Sequence, residues 1–159
     1  MLQVNKQADY GLLLLEALAS HYHNGGYVSL RYISEKRKLP YRFLGKIITP
    51  LKKFRIVESR EGVSGGYRLA RDPQKIPIRE VLLALGEDLD LVQCAQGDEE
   101  CPRFCQCHSK KFWQKLQVHI DSYLSHYTVA DLMDEWPRKK ELPNVNFKNL
   151  DPLKTPSLC

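Results

Sequence analysis

Several familiar features are missing from this chain, and each absence removes a class of function. The longest apolar run, 81–85, has five residues, against the roughly eighteen a membrane-spanning helix needs. The opening Met1-Leu-Gln-Val-Asn-Lys6 lacks the charged-then-apolar pattern and cleavage site of a secretory signal. Together these point to a cytoplasmic protein that does not enter a membrane. No internal repeat is present, so an array or solenoid is excluded. Neither a nucleotide-binding glycine motif nor an evident nucleophile–base set is found, which argues against an enzyme. The cysteines form no Cys-x2-Cys knuckle, the usual element of a structural zinc site.

What is present suits one hydrophobic core with an appendage, given 159 residues, 43% of them hydrophobic and 27% charged. The net charge of +5 is unevenly distributed. Residues 28–71 hold twelve Lys/Arg against the three acids Glu35, Glu58 and Glu61, whereas 87–100 hold six acids and no Lys or Arg. A basic front half followed by an acidic segment points to a nucleic-acid partner for the front half.

Residues 8–22 are rich in helix formers, and Leu12, Leu13, Leu14, Leu15, Ala17 and Leu18 cover much of the circumference, as in a helix buried on more than one side. Asn24-Gly25-Gly26 ends it. Ser29 is placed to cap a short helix over 30–37, with Leu30 and Ile33 facing inward and Tyr32 a third candidate. After the break at Lys38-Leu39-Pro40, a third helix is predicted over 40–54. Its stripe of Phe43, Leu44, Ile47, Ile48 and Leu51 leaves Arg42, Lys46, Lys52 and Lys53 outside. Pro50 removes one hydrogen bond and predicts a kink or a shortened helix.

Two β-type segments, 55–60 and 67–71, flank the glycine-rich Glu61-Gly-Val-Ser-Gly-Gly66 and read as a hairpin. Short helix, turn, longer helix and glycine-tipped hairpin make a winged helix-turn-helix, whose second helix presents its first residues to the major groove. The candidate DNA contacts are Ser29, Tyr41, Arg42 and Lys46 on the helices, with Arg60, Ser64, Gly65 and Gly66 on the wing. The wing tip would offer backbone N–H groups and the Arg60 guanidinium to phosphates or the minor groove.

A further helix is predicted over 77–86, with Ile78, Val81, Leu82 and Leu85 on one face. Beyond an intervening loop, 109–127 carries Phe112, Trp113, Leu116, Ile120, Tyr123, Leu124 and Tyr127 at three-to-four spacing. Such a stripe on a long helix late in a small chain calls for a partner, here a core shared with a second subunit. Thr128 and Asp131 resemble a capping pair for a short helix ending near Trp136, and 137–159, with four prolines and no periodicity, reads as a flexible tail. The expected architecture is mainly α with a small β-hairpin wing. It divides into a winged helix-turn-helix head (1–75), a linker helix and cysteine-rich loop (76–108), a long dimerisation helix with a short capping helix (109–136) and the tail.

The loop is Cys94-Ala-Gln-Gly-Asp-Glu-Glu-Cys101-Pro-Arg-Phe-Cys105-Gln-Cys107-His108, which gathers four of the five cysteines into fourteen residues. In a reducing compartment, clustered thiols point to a metal or redox centre rather than structural disulfides. The surrounding acids disfavour thiolates unless a metal compensates, which argues against a disulfide switch, and the missing knuckles demote zinc, so an iron–sulfur cluster is favoured. Only one of Cys105 and Cys107 is expected to join Cys94 and Cys101, and His108 is a further ligand candidate by its position. Cys159, in the tail, reads as a bystander.

With wing and cysteine loop both in view, residues 1–136 resemble the bacterial winged-helix regulators that include the iron–sulfur cluster regulator IscR and the nitric-oxide-sensing repressor NsrR. The segments that carry the resemblance are Ala8-Asp9-Tyr10, the wing Gly62-Val-Ser-Gly-Gly-Tyr-Arg-Leu-Ala-Arg71, and the three-cysteine loop ahead of Trp113. The resemblance implies a homodimer with crossing long helices, a pseudo-palindromic operator in double-stranded DNA, and a 4Fe–4S or 2Fe–2S cluster. Three loop cysteines, best matched by Cys94, Cys101 and Cys107, would hold it. Asp9 stands where some members supply a carboxylate ligand, Cys105 and His108 reproduce the Cys-x2-His of others, and a set of all four loop cysteines also fits. The chain departs from the pattern in a first cysteine gap one residue longer than in close relatives, in the extra Cys105, and in Glu61, which stands where an Arg usually precedes the wing glycine. On this reading the state of the cluster sets operator affinity. The alternatives are a redox or electron-transfer protein that uses the cluster and a zinc- or thiol-based regulator without one.

Overall fold

The Asn5 side chain accepts the Ala8 amide at 2.8 Å and so starts the first helix, α1 (Lys6–Ala19). This is the first element of the computed structural model of the protein, which describes residues 5–92 and 106–133. The helix is buried on several sides, as its composition implies: Ala8, Gly11, Leu14, Leu15, Ala17, Leu18 and Ala19 are all buried. It ends three residues earlier than the sequence reading places it, and a single 3-10 turn, Tyr22–Asn24, leads to Gly25 in the left-handed conformation.

Ser29 caps α2 (Leu30–Arg37) by accepting the Tyr32 amide at 3.2 Å, and Lys38 ends it at a φ of 54°. Leu30 and Ile33 face the core, but Tyr32 is 43% exposed, lying edge-on to His21 with Lys36 over its ring. Three residues after Ser29 its side chain lies beside the core stripe rather than in it, which corrects the inward placement. The next helix, α3 (Tyr41–Lys53), has Pro40 as its N-cap and runs on through Pro50. The carbonyl that loses its partner there belongs to Lys46, an exposed residue that solvent can serve. The helix is therefore not shortened.

The wing is the antiparallel pair β1 (Val57–Arg60) and β2 (Gly66–Leu69), in register Val57 to Leu69 and Arg60 to Gly66. A third partner lies far off in sequence: Val28 and Tyr67 exchange two backbone hydrogen bonds of 2.9 Å, which ties the wing to the entrance of α2. Gly66 makes this possible. Its φ is +151°, and a Cβ there would lie 2.6 Å from the Val28 carbonyl oxygen.

After the 3-10 turn Pro73–Lys75 comes α4 (Ile78–Ala84), then, beyond 92, α5 (Lys110–His126) and the 3-10 turn Val129–Leu132, which carries the expected Thr128–Asp131 capping box. The return of the chain is fixed by backbone pairing. Ile78 N–H donates to Tyr127 C=O at 2.8 Å and Val129 N–H to Ile76 C=O at 2.9 Å. Tyr127 and Val129 thereby join one core with Leu14, Leu18, Leu44, Ile47, Leu51, Ile56, Leu69, Ile76 and Val81. Each such side chain contributes about 2 kcal/mol by leaving water. No helix among the described residues is long and apolar enough to cross a membrane. Cys94, Cys101, Cys105, the end of the predicted capping helix and the tail with Cys159 lie outside the described residues.

Candidate nucleic-acid interface and cysteine site

The amphipathic pattern of α3 decides what it offers. Burying Leu44, Ile47, Ile48 and Leu51 turns Arg42, Gly45, Lys46 and Thr49 to solvent, and Tyr41 at the helix start is 55% exposed. Arg42 and Lys46 stand four residues apart, one above the other on the same face. The Thr49 hydroxyl donates to the Gly45 carbonyl at 3.2 Å. No acidic residue lies within α3, so its exposed face is purely basic and polar. The Ser29 hydroxyl is engaged as the cap of α2.

On the wing, Arg60 and Ser64 are exposed and Gly65 and Gly66 partly so. Gly65 N–H donates to Gly62 C=O at 3.0 Å, and a Cβ on Gly65 would lie 2.3 Å from the Arg60 carbonyl oxygen. Both glycines thus serve the shape of the turn and its docking. Sequence reasoning missed the side-chain group behind them. The Glu58 carboxylate accepts the Tyr27 hydroxyl at 3.0 Å and Arg68 Nε, while the Arg68 and Arg60 guanidinium groups lie 4.8 and 6.0 Å from the centre of the Tyr27 ring. The Arg68 hydrogen bond, then that of Tyr27, holds the Glu58 carboxyl below the usual carboxylate range, and Glu58 in turn raises Arg68. Tyr27 precedes the bridging Val28, so only the long-range pairing brings it onto the wing.

Of the expected metal ligands, Asp9, Cys107 and His108 are described. Cys107 stands ahead of the first turn of α5, its Sγ 3.3 Å from Ser109 Oγ. That hydroxyl lowers the thiol below its ordinary range against the opposing effect of burial. The Ser109 and Lys110 amides and the Lys110 charge assist. His108 is exposed. Asp9 is exposed in the first turn of α1, and its carboxylate has no hydrogen-bond or ion-pair partner among the described residues. No group of three or more potential ligands forms among the described residues; three of the four loop cysteines lie outside them. The donor chemistry that is described, a cysteine thiol with an adjacent imidazole, fits a soft metal or an iron–sulfur centre.

A basic recognition helix, a capped helix before it and a β-hairpin wing docked beside them define a winged helix-turn-helix regulator of transcription. The chain belongs to the Rrf2 family, whose model, described as "Iron-dependent Transcriptional regulator", matches residues 4–135. It is 35% identical over 132 residues to the HTH-type transcriptional regulator IscR of Sodalis glossinidius, covering 83% of this chain and 79% of that protein. Among solved structures, IscR of T. potens superposes with a TM-score of 0.64 at 29% identity, over 83% of this chain and 86% of that one. CymR, the global cysteine regulator of B. subtilis, superposes with a TM-score of 0.68 at 25% identity, over 84% and 97%. The role is that of a DNA-binding transcriptional regulator, not an enzyme.

Proposed function

We propose that the protein is a homodimeric, operator-binding regulator whose DNA affinity is set by an iron–sulfur cluster held by its cysteine loop. The observation that carries this reading is the cysteine run: four of the five cysteines lie within the fourteen residues 94–107, and Cys107 stands just ahead of α5 with its Sγ 3.3 Å from Ser109 Oγ. Cys94, Cys101 and Cys107 are the proposed ligands, with Asp9, Cys105 or His108 as the fourth. An iron–sulfur cluster on these thiolates supplies a redox- and ligand-sensitive bond set; everything downstream depends on this chain's own elements. Kinship to IscR supports the cluster. Likeness to CymR, named a cysteine regulator, supports a second reading in which the thiols themselves sense.

The homodimer rests on α5. Tyr123 and Leu124 pack on the core of the same chain, but Phe112 is 59% exposed and Trp113, Leu116 and Ile120 are only partly buried. An apolar stripe along the first half of a 17-residue helix then has a second copy's α5 to cover it. Two heads related by that axis would read two half-sites, with Tyr41, Arg42 and Lys46 in the major groove and Arg60 and Ser64 on the flanking backbone. Anaerobic purification followed by counts of iron and acid-labile sulfide tests the cofactor. Matched iron and sulfide with visible absorption supports the cluster, and colourless, iron-free protein moves the sensor to thiol or zinc chemistry.

A further inference from the structure

Gln117 is the single buried residue of α5, 5% exposed. A buried primary amide is costly unless its donors and acceptor are met, and here each is. Its carbonyl accepts Leu91 N–H at 2.9 Å, and its NH2 group donates to Leu89 C=O at 2.9 Å and to Asp121 Oδ2 at 3.4 Å. The C=O of 89 and the N–H of 91 are the pair a neighbouring β-strand would engage, so one side chain replaces a strand. Asp121 Oδ1 then accepts Arg79 Nε at 2.8 Å, and Arg79 belongs to α4, whose Ile78, Val81 and Ala84 are buried in the head's core. A continuous polar path therefore runs from the chain entering the cysteine loop, through α5, to the head.

We propose that Gln117 is a positioning residue that fastens segment 89–91 to α5 and, through Asp121 and Arg79, couples it to α4. It deepens the regulatory reading above, on which its effect on DNA binding rests: displacement of the loop strains the Gln117 amide, which shifts Asp121 and the guanidinium that α4 carries. A simple local cap would use the same contacts to Leu89 and Leu91, but it would not transmit them to α4.

Amide hydrogen exchange on the full-length, cluster-free protein separates these. Gln117→Met preserves bulk but makes none of the three hydrogen bonds. Gln117→Glu keeps the acceptor facing Leu91 and turns the donor facing Leu89 and Asp121 into a repelling oxygen, which guards against a packing failure in the first variant. The expected result in both is exchange about tenfold faster in 89–92, accompanied by faster exchange in α4 while α1 and α3 are unchanged. Acceleration confined to 89–92, or none, overturns the coupling. In cluster-loaded protein, the ratio of operator affinities with and without the cluster should fall toward one in Gln117→Met, and an unchanged ratio also overturns it. If the wild-type protein itself shows no such ratio, the cluster reading has failed, and the exchange pattern still judges Gln117.

Discussion

Replacing Gly66 with alanine tests how the wing is attached to the head. The added Cβ would lie 2.6 and 2.7 Å from the Val28 carbonyl oxygen and carbon, backbone atoms that no rotamer change can move aside. Alanine at a φ of +151° costs about 2 kcal/mol in strain. Relief of the clash requires parting Val28 from Tyr67, with loss of two hydrogen bonds worth about 1 kcal/mol each. The sum, about 4 kcal/mol, corresponds to a fall in Tm of about 12 °C for a chain of this size. Differential scanning calorimetry measures it. Operator affinity should fall as well, because Arg60 and Ser64 are carried on the loosened hairpin. Gly26→Ala is the matched control: its Cβ would meet nothing within 4 Å, and its Tm should stay within a degree or two. A loss of under about 3 °C in Gly66→Ala would refute the argument that the Val28 bridge holds the wing.

Three other outcomes follow from the geometry. Lys46→Ala and Arg42→Ala, on the exposed face of α3, should each weaken operator binding; a phosphate contact reduces the salt slope of log K by about one, whereas a base contact costs about 1–3 kcal/mol and relaxes specificity at one position, and a titration unaffected by either substitution would remove α3 from the interface. Glu58 has its carboxyl held below the ordinary 4.5 by Arg68 and Tyr27, so the unfolded state binds the proton more tightly; the stability it contributes is present above about pH 4.5 and lost as pH falls through the lower folded value. The difference in Tm between wild type and Glu58→Gln should therefore shrink on acidification, and a difference that grows would reverse the sign of the argument. Leu116→Glu puts a charge in the apolar stripe of α5 and should convert a species of twice 18.4 kDa to the monomer by light scattering, with the head's fold retained.

Much of the fold was legible because it is local. A serine ahead of a short helix with two inward apolar residues, a 3.6-residue stripe in α3 and a glycine-rich turn between two β-type segments each declare themselves within about ten residues. What was not legible depends on pairings between distant positions. Val28 is one valine before a serine, and nothing nearby says that it bonds to Tyr67, 39 residues on. Without that pairing, Tyr27 could not be placed beside Glu58, Arg60 and Arg68. Gln117 looks in sequence like a polar gap on a helix surface; it is buried because segment 89–91, with two backbone groups to satisfy, lies against it. The return of the chain from Tyr127 to Ile78 was hidden for the same reason. The cysteine loop was legible as chemistry, from residue type and spacing, and Cys107 added the one local feature that spacing does not carry, a thiol placed at a helix start beside Ser109.

The central claim, that the state of an iron–sulfur cluster sets DNA affinity, is tested most directly by one titration. Protein purified without oxygen, its iron and sulfide counted, is titrated against labelled operator DNA by fluorescence anisotropy at fixed salt, before and after removal of the cluster. A coupling of about 1–3 kcal/mol predicts a change in Kd of about 5- to 150-fold, abolished in Cys101→Ala, whose head remains folded. Equal affinity in both states would contradict the account and leave a winged-helix regulator that responds through some other chemistry.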